Sequence, residues 1–347
     1  MADDDTDSSG DRVAKEWPLQ GHVIVPGSGL EVRRDCLGQS FWSRVRHSTR
    51  SYDFRIELPR PGRDFDDELT EPMWDFTPDY ESELHAERST IRWGEAITFL
   101  DHAYVFRCGY YAELPASDAG EADTVWDEFN SEFKFWWEAF TSWAAILASQ
   151  DLVGPPEWAW SGPDMEGWLM DPHEQPAGFK TRTILKTDSP THRVLELQDL
   201  QACVTAAGNQ GLPPVEWLFI RDARSWLNAG EYRRALIDAG SAAELAMTEL
   251  IDKYLDDANA LEPVRKALKN SSNNLGGKKQ MLNLLRPGLL HDRVEEGLIK
   301  KRNGAAHKNE EYTQEVTRAA LDIAITIVES AYPLASYLGG SPAPHSA

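Results

Sequence analysis

Between residues 17 and 114 apolar positions tend to recur at every second residue, the period of half-buried strands. Tyr52, Phe54, Ile56 and Leu58 alternate with Asp53, Arg55 and Glu57, which predicts a strand with one wet face. His22, Val23, Ile24 and Val25 run into Pro26-Gly27, and residues 103–111 form a further β-branched and aromatic run. From 124 to 149 the period changes. Val125/Trp126, Phe129, Phe133, Trp136/Trp137, Phe140, Trp143/Ala144 and Leu147 return at three- and four-residue steps, the stripe of a long amphipathic helix. That stripe is expected to pack on the sheet, with an aromatic ligand groove as the alternative. Residues 152–178, rich in Pro, Gly and Trp, read as a long loop, and residues 181–185 and 193–197 as returning strands.

Breakers then cluster in Ala206-Ala207-Gly208-Asn209-Gln210-Gly211-Leu212-Pro213-Pro214, which reads as a linker over 206–214. Everything beyond it carries helical periodicity. One helix is expected over 215–227. A second, over 231–254, carries Tyr232, Ala235/Leu236, Ala239, Ala242/Ala243, Ala246/Met247, Leu250/Ile251 and Tyr254 on one face. Shorter helices fit 263–269, 278–285 and 289–301. Thr313 is a natural N-cap for a last helix burying Val316, Ala320, Ile323, Ile327, Ala331 and Leu334. The expected fold class is an α+β N-terminal domain, β-rich with a long amphipathic helix, followed by an all-α bundle. The expected boundaries are a disordered acidic tail at 1–16, the first domain at 17–205, the linker, the bundle at 215–338 and a second disordered tail at 339–347.

Charge adds a contrast between these halves. The chain of 347 residues has a net charge of −22, yet residues 212–347 hold 17 Lys and Arg against 18 Asp and Glu. Residues 1–211 therefore carry −21, and such asymmetry suggests modules with different partners. Cys36, Cys108 and Cys203 form no CxxC pair, which fits a reducing, cytoplasmic setting. No leader-like h-region follows Met1, and no apolar run approaches the roughly 20 residues that span a bilayer, so no membrane partner is expected. Asp64, Asp66, Asp67 and Glu68 read as a solvated loop or, alternatively, a divalent-cation site. HExxH, Walker, GxSxG and strand-linked GxGxxG patterns are absent, and the histidines lack metal-ligand spacing, so no metal or cofactor is called for.

The stretch with chemical content is Lys300-Lys301-Arg302-Asn303-Gly304-Ala305-Ala306-His307, which falls between the last two long helices. An Arg offers a planar fork of donors to a phosphodiester, and a His near neutrality can move protons to or from its oxygens. A second Arg-x4-His, Arg286 to His291, is broken by Pro287-Gly288 and precedes the wrong helix.

Arg302, a polar Asn303 and then His307, just before the final helix of a small bundle, resemble the motif of the HEPN superfamily. The opening Trp226-Leu227-Asn228-Ala229-Gly230-Glu231-Tyr232, with Ala235, Ile237, Ala239, Ala243 and Glu244, resembles its Apea-like branch. The resemblance covers residues 215–338. It implies a HEPN-type bundle and a metal-independent RNA endonuclease leaving 2′,3′-cyclic phosphates, in prokaryotic defence or as a toxin. Arg302, Asn303 and His307 would then be catalytic, Glu244 would orient Arg302, and Lys300, Lys301 and Lys308 would follow the RNA backbone. Gly304, Ala305 and Ala306 would admit a backbone or a second protomer. It also implies a homodimer with two motifs lining one cleft, and leaves the acidic half as a sensor of a protein trigger or a restraint on the nuclease. The alternative is a non-catalytic HEPN module for dimerisation and for nucleotide or protein binding.

Overall fold

The structure, a computed structural model, describes residues 15–152, 165–169 and 193–339, apart from 28, 49, 63–67, 74–91, 98–100, 118 and 309. Strands β1 (Lys15–Ile24), β2 (Leu30–Arg33), β3 (Ser40–His47), β4 (Arg50–Glu57), β5 (Gly94–Ile97), β6 (His102–Val105), β7 (Arg107–Ala116) and β8 (Met165–Leu169) make two antiparallel sheets. One has the order β3-β4-β7-β1-β8 and the other β2-β6-β5. Tyr52, Phe54 and Ile56 point inward from β4, as the alternation predicts. The first strand begins at Lys15, inside the segment expected to be a tail, because residues 15–24 pair without a break along β7. The run at 103–111 is two strands rather than one: at Phe106 the chain leaves the small sheet for the large one. The expected strand at 193–197 is reduced to a parallel bridge, Val32 to Leu195. The loop expected over 152–178 contains β8, and residues 181–185, like most of the 64–68 acidic cluster, lie outside the described residues.

Helix α1 (Ala119–Ala148) lays Phe129, Phe133 and Trp136 against Phe54, with ring centroids 5.9, 5.2 and 4.8 Å away. The aromatic stripe is a core face. Edge-to-face pairs of this kind add roughly 0.5–1.5 kcal/mol each beyond the area they bury. Beyond Glu138 the helix is buried on every side, from Ala139 through Ala148, as befits an element enclosed by protein.

What encloses it is α2 (Leu197–Gln210) and α3 (Val215–Asn228). The linker expected over 206–214 is thus largely helix: α2 continues to Gln210 and turns at Gly211, whose φ is +72°. Gly208 is no breaker but a contact, since a Cβ there would come within 2.7 Å of Ser43 Oγ. Trp143 Nε1 donates to the Gly211 carbonyl (2.9 Å), Arg221 Nη1 to Ser142 Oγ (2.6 Å) and Arg224 Nη1 to the Ile146 carbonyl (3.0 Å). Burial lowers the Arg224 guanidinium to about 10, which leaves it charged at neutral pH. One continuous apolar core runs from the sheets through α1 into the helical half.

That half comprises α3, α4 (Tyr232–Asp257), α5 (Glu262–Ser271), α6 (Leu275–Leu285), α7 (Lys300–His307), α8 (Gln314–Ala331) and a last turn, α9 (Leu334–Tyr337). The alanine face of α4 is buried from Ala235 to Ile251 against α3 and α8. Thr313 Oγ1 caps α8 by accepting from Val316 N at 3.4 Å. Ala320, Ile327 and Leu334 are buried, whereas Val316, Ile323 and Ala331 are half-buried. The helix expected over 289–301 is instead a π-helical segment, Val294–Ile299, running directly into α7. Lys300 N bonds the Glu295 carbonyl, five residues back. None of the described helices is long and apolar enough to cross a membrane. All three cysteines are buried and free, and burial raises their thiols, that of Cys36 to about 12.

Two outcomes follow from this packing. Trp143→Ala should lower unfolding free energy by about 3–5 kcal/mol, read from urea titrations by far-UV circular dichroism and tryptophan fluorescence. Asp238 on α4 is raised to about 6, first by burial and then by Asp222. A carboxyl raised in the folded state favours folding below its unfolded pKa and loses that contribution as pH rises through 6. Asp238→Asn should therefore raise Tm at pH 7.5, by a margin that shrinks on acidification and vanishes near pH 4.

Candidate functional site

The Arg302–His307 stretch is itself a helix, α7, and not a loop between helices. Two consequences follow from that geometry. Residues four apart share a face, so Asn303 and His307 lie together, whereas residues five apart are rotated by about 140°. Arg302 and His307 therefore leave α7 on different sides.

On one side Lys300, Lys301, Asn303, Gly304, His307, Lys308 and Glu310 line a recess of about 410 Å³. His307 is exposed at the end of the helix. Lys300 pairs with Glu296 at 2.5 Å, which raises its pKa, and Lys308 pairs with Glu310 at 3.4 Å. Such exposed pairs are worth little in water and are readily exchanged for another anion. Glu310 is held below the usual carboxylate range, first by Tyr312 and then by Lys308 and Lys301. Burial raises the Tyr312 phenol to about 12, and its Oη lies 3.1 Å from the Lys301 carbonyl oxygen and 2.9 Å from Glu310 Oε2.

On the other side Arg302 lies against α4. Its stem fills the notch at Gly240, where a Cβ would overlap Arg302 Cγ and meet Cβ at 3.0 Å. Its Nη2 is 3.6 Å from Glu244 Oε2, and Nη1 donates to Asn303 Oδ1 at 3.3 Å. Arg302 Nε is buried without a hydrogen-bond partner. Glu244 also accepts from Lys278 Nζ at 2.9 Å. Arg233 Nε donates to the Ala305 carbonyl at 2.6 Å, fixing the end of α7.

Asn303 thus joins the two sides: it accepts from Arg302 and lines the recess with His307. The space beside Gly304 is not left for a second protomer, because Tyr312 Oη and Glu310 Oε2 already fill it. Gly240 and Lys278 were not foreseen. A glycine among alanines reads as a weak point in α4, and nothing local ties Lys278 to residue 244. Arg286 and His291 build a turn instead of a site: both are exposed, and His291 Nδ1 accepts from Arg293 N at 3.0 Å. Among the described residues no group of three or more His, Cys, Asp or Glu is placed to hold a metal ion.

No family, no curated protein and no solved structure matches the chain.

The Gly240 notch makes a prediction with a change of sign. Gly240→Ala should destabilise the wild type by about 1–3 kcal/mol through overpacking. With Arg302→Gly in the background, which removes Cβ as well as Cγ, the clash is gone, and the same substitution should stabilise by up to about 1 kcal/mol through helix propensity. A thermal-denaturation double-mutant cycle checks it.

Proposed function

We propose that this chain is a metal-independent RNA endonuclease of HEPN type, with Arg302, Asn303 and His307 as its working residues. The observation that carries the reading is the arrangement on α7. A braced guanidinium is linked through Asn303 to a cationic recess that presents an exposed imidazole. In a chain of net charge −22, this gathering of Lys300, Lys301, Arg302 and Lys308 on nine consecutive residues favours an anionic ligand.

RNA brings its own nucleophile. His307 accepts the 2′-hydroxyl proton, the 2′-oxygen attacks phosphorus, and the 5′-oxygen leaves as it takes up a proton, so the products are a 2′,3′-cyclic phosphate and a 5′-hydroxyl. Arg302 supplies donors to the extra negative charge that builds on the phosphate. Asn303 and His307 are exposed on α7, so two copies of that face could meet around one phosphate, with Arg302 linked to it through Asn303. That supports the homodimer, in which one His307 serves as base and the other as acid. Lys300, Lys301 and Lys308 would follow the strand on either side once their carboxylates are displaced. The N-terminal half would act as the sensor or restraint, coupled to the nuclease through Arg221, Arg224 and the buried end of α1. A role in prokaryotic defence or as a toxin belongs to the same reading.

A second reading, a non-catalytic binding module, draws on the engagement of Arg302 with Gly240 and Glu244, which would equally brace a bundle.

Labelled single-stranded RNA incubated with the protein and EDTA separates them. Cleavage to cyclic-phosphate ends by wild type is expected, with a loss of about 10²-fold or more in Arg302→Ala and His307→Ala. Equal cleavage by His307→Ala would exclude His307 as a catalytic residue, and binding without cleavage by a folded wild type would favour the binding module over a nuclease active without its trigger.

A further inference from the structure

Three helices bring charge to one carboxylate. Glu244 from α4 meets Lys278 from α6 at 2.9 Å and Arg302 from α7 at 3.6 Å. The three side chains are only 15% (Lys278), 24% (Glu244) and 25% (Arg302) exposed. Two cations therefore share one anion in a setting largely removed from water, and the cluster carries a surplus positive charge.

The division is unequal. Lys278 takes one carboxylate oxygen at hydrogen-bond distance, while Arg302 stands off from the other beyond that distance. Its Nε has no hydrogen-bond partner. A lone Arg and a carboxylate would close into a two-point pair, the geometry in which guanidinium donors are consumed. Lys278 opposes that closure by engaging Glu244 from the far side. Its position is fixed from the sequence upward: Asn274 caps α6 by accepting from Gly277 N at 2.9 Å, and α6 packs on α4 beside Glu244.

We propose that Lys278 is a positioning residue for the phosphate-binding arginine, holding Glu244 so that Arg302 keeps donors free for a phosphodiester. This rests on the reading of Arg302 given above. Lys278 itself does not touch the phosphate. Remove its charge, and Glu244 is left with one cation, pairs fully with Arg302 and competes with RNA for it.

The test is binding of a fluorescent 2′-O-methyl RNA, which cannot be cleaved, followed by anisotropy across a salt series in the full-length protein. Lys278→Met should weaken binding about tenfold, the scale of one charge-assisted hydrogen bond. It should also reduce the salt slope by about 0.7, one phosphate contact on a single strand. Adding Glu244→Gln to Lys278→Met should restore most of both, and Lys278→Arg should resemble wild type. Lys278→Gln serves the same comparison if the methionine variant does not fold. Loss that Glu244→Gln fails to restore would overturn the proposal, since Lys278 would then contact RNA directly or merely support α6. Unchanged binding in folded Lys278→Met would overturn it as well, leaving the reading of Arg302 intact. A folded wild type that does not bind the RNA would overturn both.

Discussion

The structure depends on the last ten residues of α1 being enclosed on every side. A helix can discard its polar face only where protein replaces water all round, and here the sheet covers one side while α2 and α3 cover the others. The acidic half and the helical half are therefore not beads on a string. The hydrogen bonds from Trp143, Arg221 and Arg224 place polar partners along the seam. Each of them satisfies a group that burial would otherwise leave costly. The contact between the N-terminal half and the bundle runs through this helix end.

At the other extremity of the bundle, α7 is fixed by short-range steric fit as much as by charge. Gly240 and Gly304 are both positions where a methyl group would collide with a functional or supporting side chain. The first admits the stem of Arg302, the second the Tyr312–Glu310 pair. The small residues of the motif thus serve intramolecular packing, while Asn303 and His307 are among the residues that α7 leaves exposed.

Much of the fold was legible because its signals are local. Alternation at Tyr52, Phe54 and Ile56, the aromatic stripe of α1, the alanine face of α4 and the Thr313 cap each depend on neighbours within a turn or a pleat. The failures share a cause, which is that the deciding partner is distant in sequence. Gly208 reads as a breaker until Ser43 is seen beside it, and Phe106 reads as mid-strand until the chain is seen to change sheets there. At the site, Arg302, Asn303 and His307 could be singled out by residue type and by their place before the last long helix, and Glu244 only through the resemblance. The helical state of the motif, the divergence of Arg302 from His307, and the parts played by Gly240 and Lys278 could not. Those are set by contacts across α4, α6 and α7.

The π-helical segment ahead of α7 has a meaning of its own. Its wider turns place one more residue per turn than an α-helix would, and Gly297 lets them press against Ile323 of α8. An extra residue in a continuous helix acts as a phase shifter: everything downstream is turned by about 100° relative to an uninterrupted α-helix. Which side chain of α7 meets α4 is thus decided upstream, at residues 294–299, and the motif inherits its angular setting from a segment that contains none of its chemistry.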